Sequence, residues 1–139
     1  MTLSIRNQLP GTVTEVHFGE VMATVKIRLT GGQDLTAAIT LEAARELALS
    51  EGATVRALVK STEVSLATAP VHRVSIRNQL PGTVTHLATG GAMATVKIDI
   101  EGGRLTSAIT QESAADLDLS LGSPVIALIK STEVALATA

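Results

Sequence analysis

Ser4-Ile5-Arg6-Asn7-Gln8-Leu9-Pro10-Gly11-Thr12-Val13-Thr14 returns, residue for residue, as Ser75 to Thr85. Lys60-Ser61-Thr62-Glu63-Val64 likewise returns as Lys130 to Val134. The 139 residues are therefore a tandem repeat, with units expected over 1–69 and 70–139. Each unit has roughly 65 residues, a size that buries only about 60% of its unfolded surface and is marginal alone. Each therefore needs a neighbour. The linker around Ala69-Pro70-Val71-His72-Arg73 is short enough that the units should touch, and they could share strands.

Outward from the repeated opening, period-two alternation predicts strands over Gly11 to His17, Met22 to Leu29, Leu35 to Ile39, Thr54 to Val59 and Val64 to Thr68. Thr30-Gly31-Gly32-Gln33-Asp34 reads as a glycine hairpin. Its counterpart Glu101-Gly102-Gly103-Arg104 is one residue shorter, and the repeat offset drops there from 71 to 70, which marks a surface turn. One helix is predicted per copy, over Leu41 to Leu49 and Gln111 to Leu119, with Thr40 or Thr110 as N-cap and Gly52 or Gly122 beyond the end. Five strands and a short helix make a small barrel, so the fold class expected is all-β, two barrels with one short helix each.

Composition narrows the function. Phe18 is the one aromatic residue, so the core must be aliphatic and the usual aromatic interface anchors are missing. The absence of cysteine removes disulfides, thiolate metal sites and thiol nucleophiles, and fits a reducing compartment; with no signal-like start and no long apolar run, the expectation is a soluble cytoplasmic protein without membrane partners. A net charge of −2, with Lys and Arg dispersed, leaves no basic stripe for a phosphate backbone and no platform for base stacking. Nucleic acid is not an expected partner.

Glu15 to Glu20 has drifted against His86 to Gly91, whereas three polar motifs are held in both copies. Ser-x-Arg-Asn-Gln precedes the first predicted strand, Thr starts the helix, and Lys-Ser-Thr precedes the last strand. Arg offers a planar fork, Lys a point charge, and the hydroxyls neutral donors, a set suited to an oxyanion. Singly, each has a plain reading: Asn7 to Gly11 as a turn, Thr40 and Thr110 as caps, Lys60 and Lys130 as solvated edge lysines. Their joint retention favours the functional reading. His17, His86 and His72 form no repeated pair with metal spacing, and no repeated Ser/His/Asp set, phosphate-cradling glycine loop or carboxylate pair is present. Enzymatic chemistry has no candidate residues, and no catalytic residue or metal ligand is expected.

At Ser4 to Gly11 and Ser75 to Gly82, Ala38-Ile39-Thr40 and Ala108-Ile109-Thr110, and Leu58 to Ser61 and Leu128 to Ser131, the chain closely resembles the molybdate-binding Mop domain family, in the di-domain form called molbindins. The resemblance spans nearly all of both copies. It implies OB-like Greek-key barrels assembled as a homotrimer, with molybdate or tungstate as bound ligand at sites shared between domains and no cofactor besides. The oxyanion-binding residues it implies are Ser4, Arg6, Asn7, Thr40, Lys60 and Ser61, and Ser75, Arg77, Asn78, Thr110, Ser113, Lys130 and Ser131. Ser4 and Arg6 of one copy should face Thr40, Lys60 and Ser61 of a neighbour. Ala43 stands where the second copy has Ser113, so the two sets need not have equal affinity. Without a Walker motif or a helix-turn-helix segment, the expected role is intracellular binding, storage and homeostasis; the alternative is a structural or protein-interaction module with no tight small ligand.

Overall fold

The structure is a computed structural model that describes residues 2–138; Met1 and Ala139, the outer limits of the expected units, lie outside the described residues. Copy one contributes β1 (Asn7–Phe18), β2 (Met22–Leu29), β3 (Asp34–Thr40), α1 (Leu41–Glu46), β4 (Thr54–Val59) and β5 (Ser65–Ala67). Copy two contributes β6 (Asn78–Gly90), β7 (Met93–Ile100), β8 (Gly103–Thr110), α2 (Gln111–Asp116), β9 (Pro124–Ile129) and β10 (Ala135–Thr138). A 3-10 turn, Ser61–Glu63 or Ser131–Glu133, precedes the last strand of each copy.

The strands form two five-stranded antiparallel sheets, in the orders β10-β4-β1-β2-β3 and β5-β9-β6-β7-β8. The two edge strands of each sheet approach one another, so each sheet curls toward a barrel. The all-β, OB-like expectation holds. The fifth strand of each sheet comes from the other copy: Ala135 pairs with Leu58 in one sheet, and Ser65 pairs with Leu128 in the other. Strand exchange makes the two copies one continuous structure.

Alternation explains the core. Along β2 the inward residues Ala23, Val25, Ile27 and Leu29 are buried while Met22, Thr24, Lys26 and Arg28 are exposed, as expected of a half-buried strand. Facing strands add Val13, Leu35, Ala37, Val55 and Val59, and the second copy repeats the pattern with Val96, Ile98, Leu105, Val125 and Ile129. All are aliphatic.

The first strand starts earlier than the sequence suggested. Asn7 to Pro10 do not form a turn; they pair with Val59 to Arg56 of β4. Pro10 is compatible with that ladder because its carbonyl accepts from Thr30 N on the β2 side, 3.2 Å, so its ring nitrogen points the same way and removes no bond to β4. The helices are shorter than expected. Thr40 Oγ1 accepts from Ala43 N at 3.1 Å, and after Leu47 the chain turns left-handed at Ala48, φ 52. Leu49 N donates to Ala44 O and Ala48 N to Arg45 O, a Schellman closure that ends the helix before Gly52.

The hairpins β2–β3 and β7–β8 meet at Gly31 and Gly102. A Cβ on Gly31 would collide with the backbone of Glu101 and Gly102, so this approach requires glycine.

Candidate functional site

The repeated motifs converge where the two copies interlock. Asn7 is 2% exposed and Asn78 is 4% exposed. Asn7 Nδ2 donates to Thr106 O at 2.8 Å, and its Oδ1 accepts from Thr106 N at 2.7 Å. Asn78 makes the same pair of bonds to Thr36, both at 2.8 Å. Each amide thus completes the backbone of a β3 or β8 edge from the opposite copy, as a strand neighbour would. The exposed residue just before each clamp is an arginine, Arg6 or Arg77, and Arg6 shares a depression with Thr95, Lys97 and Thr106 of the other copy.

Each Lys-Ser-Thr motif sits on a 3-10 turn carried across by the strand exchange. The Ser61–Glu63 turn packs on β8 and the Ser131–Glu133 turn on β3. Lys60 and Lys130 are exposed, and among the described residues neither joins an ion pair. Ser61 Oγ and Ser131 Oγ are buried and, among the described residues, have no hydrogen-bond partner. An orphaned buried hydroxyl is costly, and finding it at equivalent positions in both copies points to a ligand that satisfies it.

An open depression of about 450 Å³ brings Thr40 and Lys60 together, floored by Ile5, Ile39 and Leu58 and bordered by Glu63 and Glu133. Arg6 and Ser61 line a different one, of about 440 Å³, against the second copy. The structure therefore divides the first copy's expected donors between two depressions. Ser4 and Ser75 are exposed on the segments that lead into the clamps. Thr110 and Ser113 meet at the start of α2, where Thr110 Oγ1 accepts from Ser113 N at 3.1 Å and donates to Ser113 Oγ at 2.8 Å. The outward donor there is the Ser113 hydroxyl, whereas Thr40, facing Ala43, keeps its own.

Two residues gain significance only from the fold. Lys97 and Thr95 on β7 line the Arg6 depression, although their strand reads as ordinary outward-facing polar positions. The available signal was the non-identity of Glu15 and His86, which face Lys26 and Lys97 across the β1–β2 and β6–β7 ladders. Among the described residues no cluster of His, Cys, Asp or Glu could hold a metal ion, and no helix is long and apolar enough to cross a membrane.

Comparison with known proteins gives a consistent picture. A 44% identical relative over 136 residues is the molybdenum-pterin-binding protein MopB of Rhodobacter capsulatus; the match spans 96% of this chain and 50% of that protein. The molybdenum transport protein ModE of Azotobacter vinelandii is 38% identical over 138 residues, spanning 99% of this chain and 51% of its own length. The chain thus spans about half the length of the curated relatives it matches. A solved structure of the cytoplasmic molybdate-binding protein ModG, with molybdate bound, superposes with a TM-score of 0.97 at 42% identity and covers 100% of both chains. The Mop-type resemblance is borne out by these relatives. The TOBE domain model matches residues 3–66 and again 74–136, and the chain belongs to that family as a tandem of two such domains.

Proposed function

We propose that this protein binds molybdate, and with it tungstate, at oxyanion sites built where its two copies interlock, and that it serves in cytoplasmic storage and homeostasis of the anion rather than in catalysis. The observation that carries the reading is the pair of buried hydroxyls on Ser61 and Ser131, which among the described residues have no hydrogen-bond partner, each following a lysine that joins no ion pair among them. The full-length likeness to molybdate-bound ModG names the anion that fits. The donors are Ser4, Arg6, Thr40, Lys60 and Ser61, and Ser75, Arg77, Thr110, Ser113, Lys130 and Ser131. Asn7 and Asn78 act beside them by setting the two arginines in place. A homotrimer would let these donors, split between depressions in one chain, close around anions from neighbouring chains.

The physical logic is that of a dianion. Its desolvation is costly, and a protein of net charge −2 can hold it only with many directed donors and a few local cations. Where donors alone face the anion, hydrogen phosphate is disfavoured because its proton needs an acceptor, and a cavity sized for molybdate leaves the smaller sulfate with longer, weaker contacts. Tungstate, matching molybdate in charge and size, is poorly discriminated. Equilibrium dialysis against molybdate, with and without an equal concentration of sulfate, tests the reading: retained molybdate supports it, and molybdate displaced by the sulfate refutes its selectivity.

A further inference from the structure

Four surface depressions differ in a property that decides where an anion goes. The one holding Thr40 and Lys60 also presents the carboxylates of Glu63 and Glu133. A second sets Lys26 beside Glu15, and a third has Asp99 and Glu101 with no cation. The fourth, of about 440 Å³, is lined by Arg6, Ser61, Thr95, Lys97, Thr106 and Ala108, so its charge is of one sign and positive. The geometry points to this depression as an oxyanion pocket with Lys97 as its second cation, and as a stronger site than its equivalent on the opposite side of the molecule. The proposal rests on the oxyanion reading above and adds to it a residue and a ranking.

The pocket is built by contacts already described. Asn7 grips the backbone of Thr106, which brings Arg6 onto β8. Thr106 is the ladder partner of Lys97, so two cations 91 positions apart in sequence line one cavity. Ser61 lines the same cavity, and its hydroxyl, buried just behind that wall, has no hydrogen-bond partner among the described residues. Its turn is fastened by Ser107, fully buried, whose Oγ donates to Val64 O at 2.6 Å.

The equivalent positions on the other side are Arg77, Ser131, Thr24, Lys26, Thr36 and Ala38, and there each supporting feature is weaker. Lys26 Nζ lies 3.4 Å from Glu15, whose place opposite Lys97 is taken by His86. Thr24 and Lys26 are exposed, whereas Thr95 and Lys97 are half-buried. Ala37 replaces Ser107, so the Ser131 turn lacks the hydroxyl anchor. An exposed ion pair adds little stability, but its carboxylate adds a negative charge next to any incoming dianion. Half-burial works the other way around Lys97, where lower solvent screening strengthens its attraction to the anion.

Calorimetric titration of the full chain with sodium molybdate tests the assignment through four variants. Lys97→Met is expected to weaken one class of sites about ten-fold, the loss of one charge-assisted contact. Lys97→Arg should retain that class, and His86→Glu should weaken it without altering a pocket residue, by giving Lys97 the partner that Lys26 has. Lys26→Met should leave this class unchanged. Equal effects of Lys97→Met and Lys26→Met, or none from Lys97→Met in a wild type that binds, overturn the pocket and leave the broader reading standing. A wild type that gives no molybdate heat overturns both.

Discussion

Replacing Asn7 by Ala removes both bonds that join the first copy's opening to the edge of β8. The side chain is 2% exposed, and its bonds to Thr106 O and N are 2.8 and 2.7 Å long. The loss is more than two average hydrogen bonds of about 1 kcal/mol each, because Thr106 N–H and C=O stay behind in a partly buried position. With water reaching one of them, the cost is about 3 kcal/mol. For a chain of 139 residues, an unfolding entropy of about 2.1 cal/mol/K per residue converts this to a fall in Tm of about 10 °C. Urea denaturation and thermal melts followed by far-ultraviolet circular dichroism, at one fixed protein concentration, read it directly. Asn78→Ala should cost as much, since its bonds to Thr36 are equivalent. Asn7→Asp should cost at least as much, because a carboxylate still accepts from Thr106 N but faces Thr106 O without a proton to give. A loss below about 0.5 kcal/mol for Asn7→Ala, the level of an ordinary surface change, would show that the clamp does not hold the two copies together.

Other outcomes follow from the same geometry. Ala48→Gly should stabilise by about 0.5–1 kcal/mol, since Ala48 holds φ 52 at the end of α1 and glycine has no Cβ penalty there; a melt showing destabilisation would contradict it. Gly31→Ala should destabilise by about 1–3 kcal/mol, because its Cβ meets backbone of the opposite hairpin and not a movable side chain; an unchanged denaturation midpoint would show that the hairpins are not held this closely. Lys60→Ala and Lys130→Ala should leave the fold and its melting curve nearly intact, both lysines being exposed, while lowering molybdate affinity; dialysis showing wild-type retention would remove them from the site.

Much of this structure was legible because the repeat doubled every signal. The alternation in Met22 to Leu29 and the capping threonines at 40 and 110 are local features, and local features decide strands and caps. The strand exchange is not legible in the sequence for a physical reason. Lys-Ser-Thr-Glu-Val is identical in both copies, so either copy offers β5 and β10 an equivalent edge of β4 or β9, and only the packed structure distinguishes them. The early start of β1 was hidden by Pro10, whose tolerance depends on which side of the strand its nitrogen faces. Asn7 and Asn78 read as donors for a ligand because their real partners lie 99 and 42 positions away. Lys97 was unreadable without that clamp, since nothing local separates it from Lys26 except the exchange of Glu15 for His86.

The most direct test of the central claim is a calorimetric titration of the purified, anion-stripped protein with molybdate, and in parallel with sulfate and phosphate, at known oligomer mass. Tight molybdate binding at more than one site per chain, with little heat from the other two anions, is the expected result. No molybdate heat, or equal heat from sulfate, would contradict it and leave the interlocked copies as a structural module.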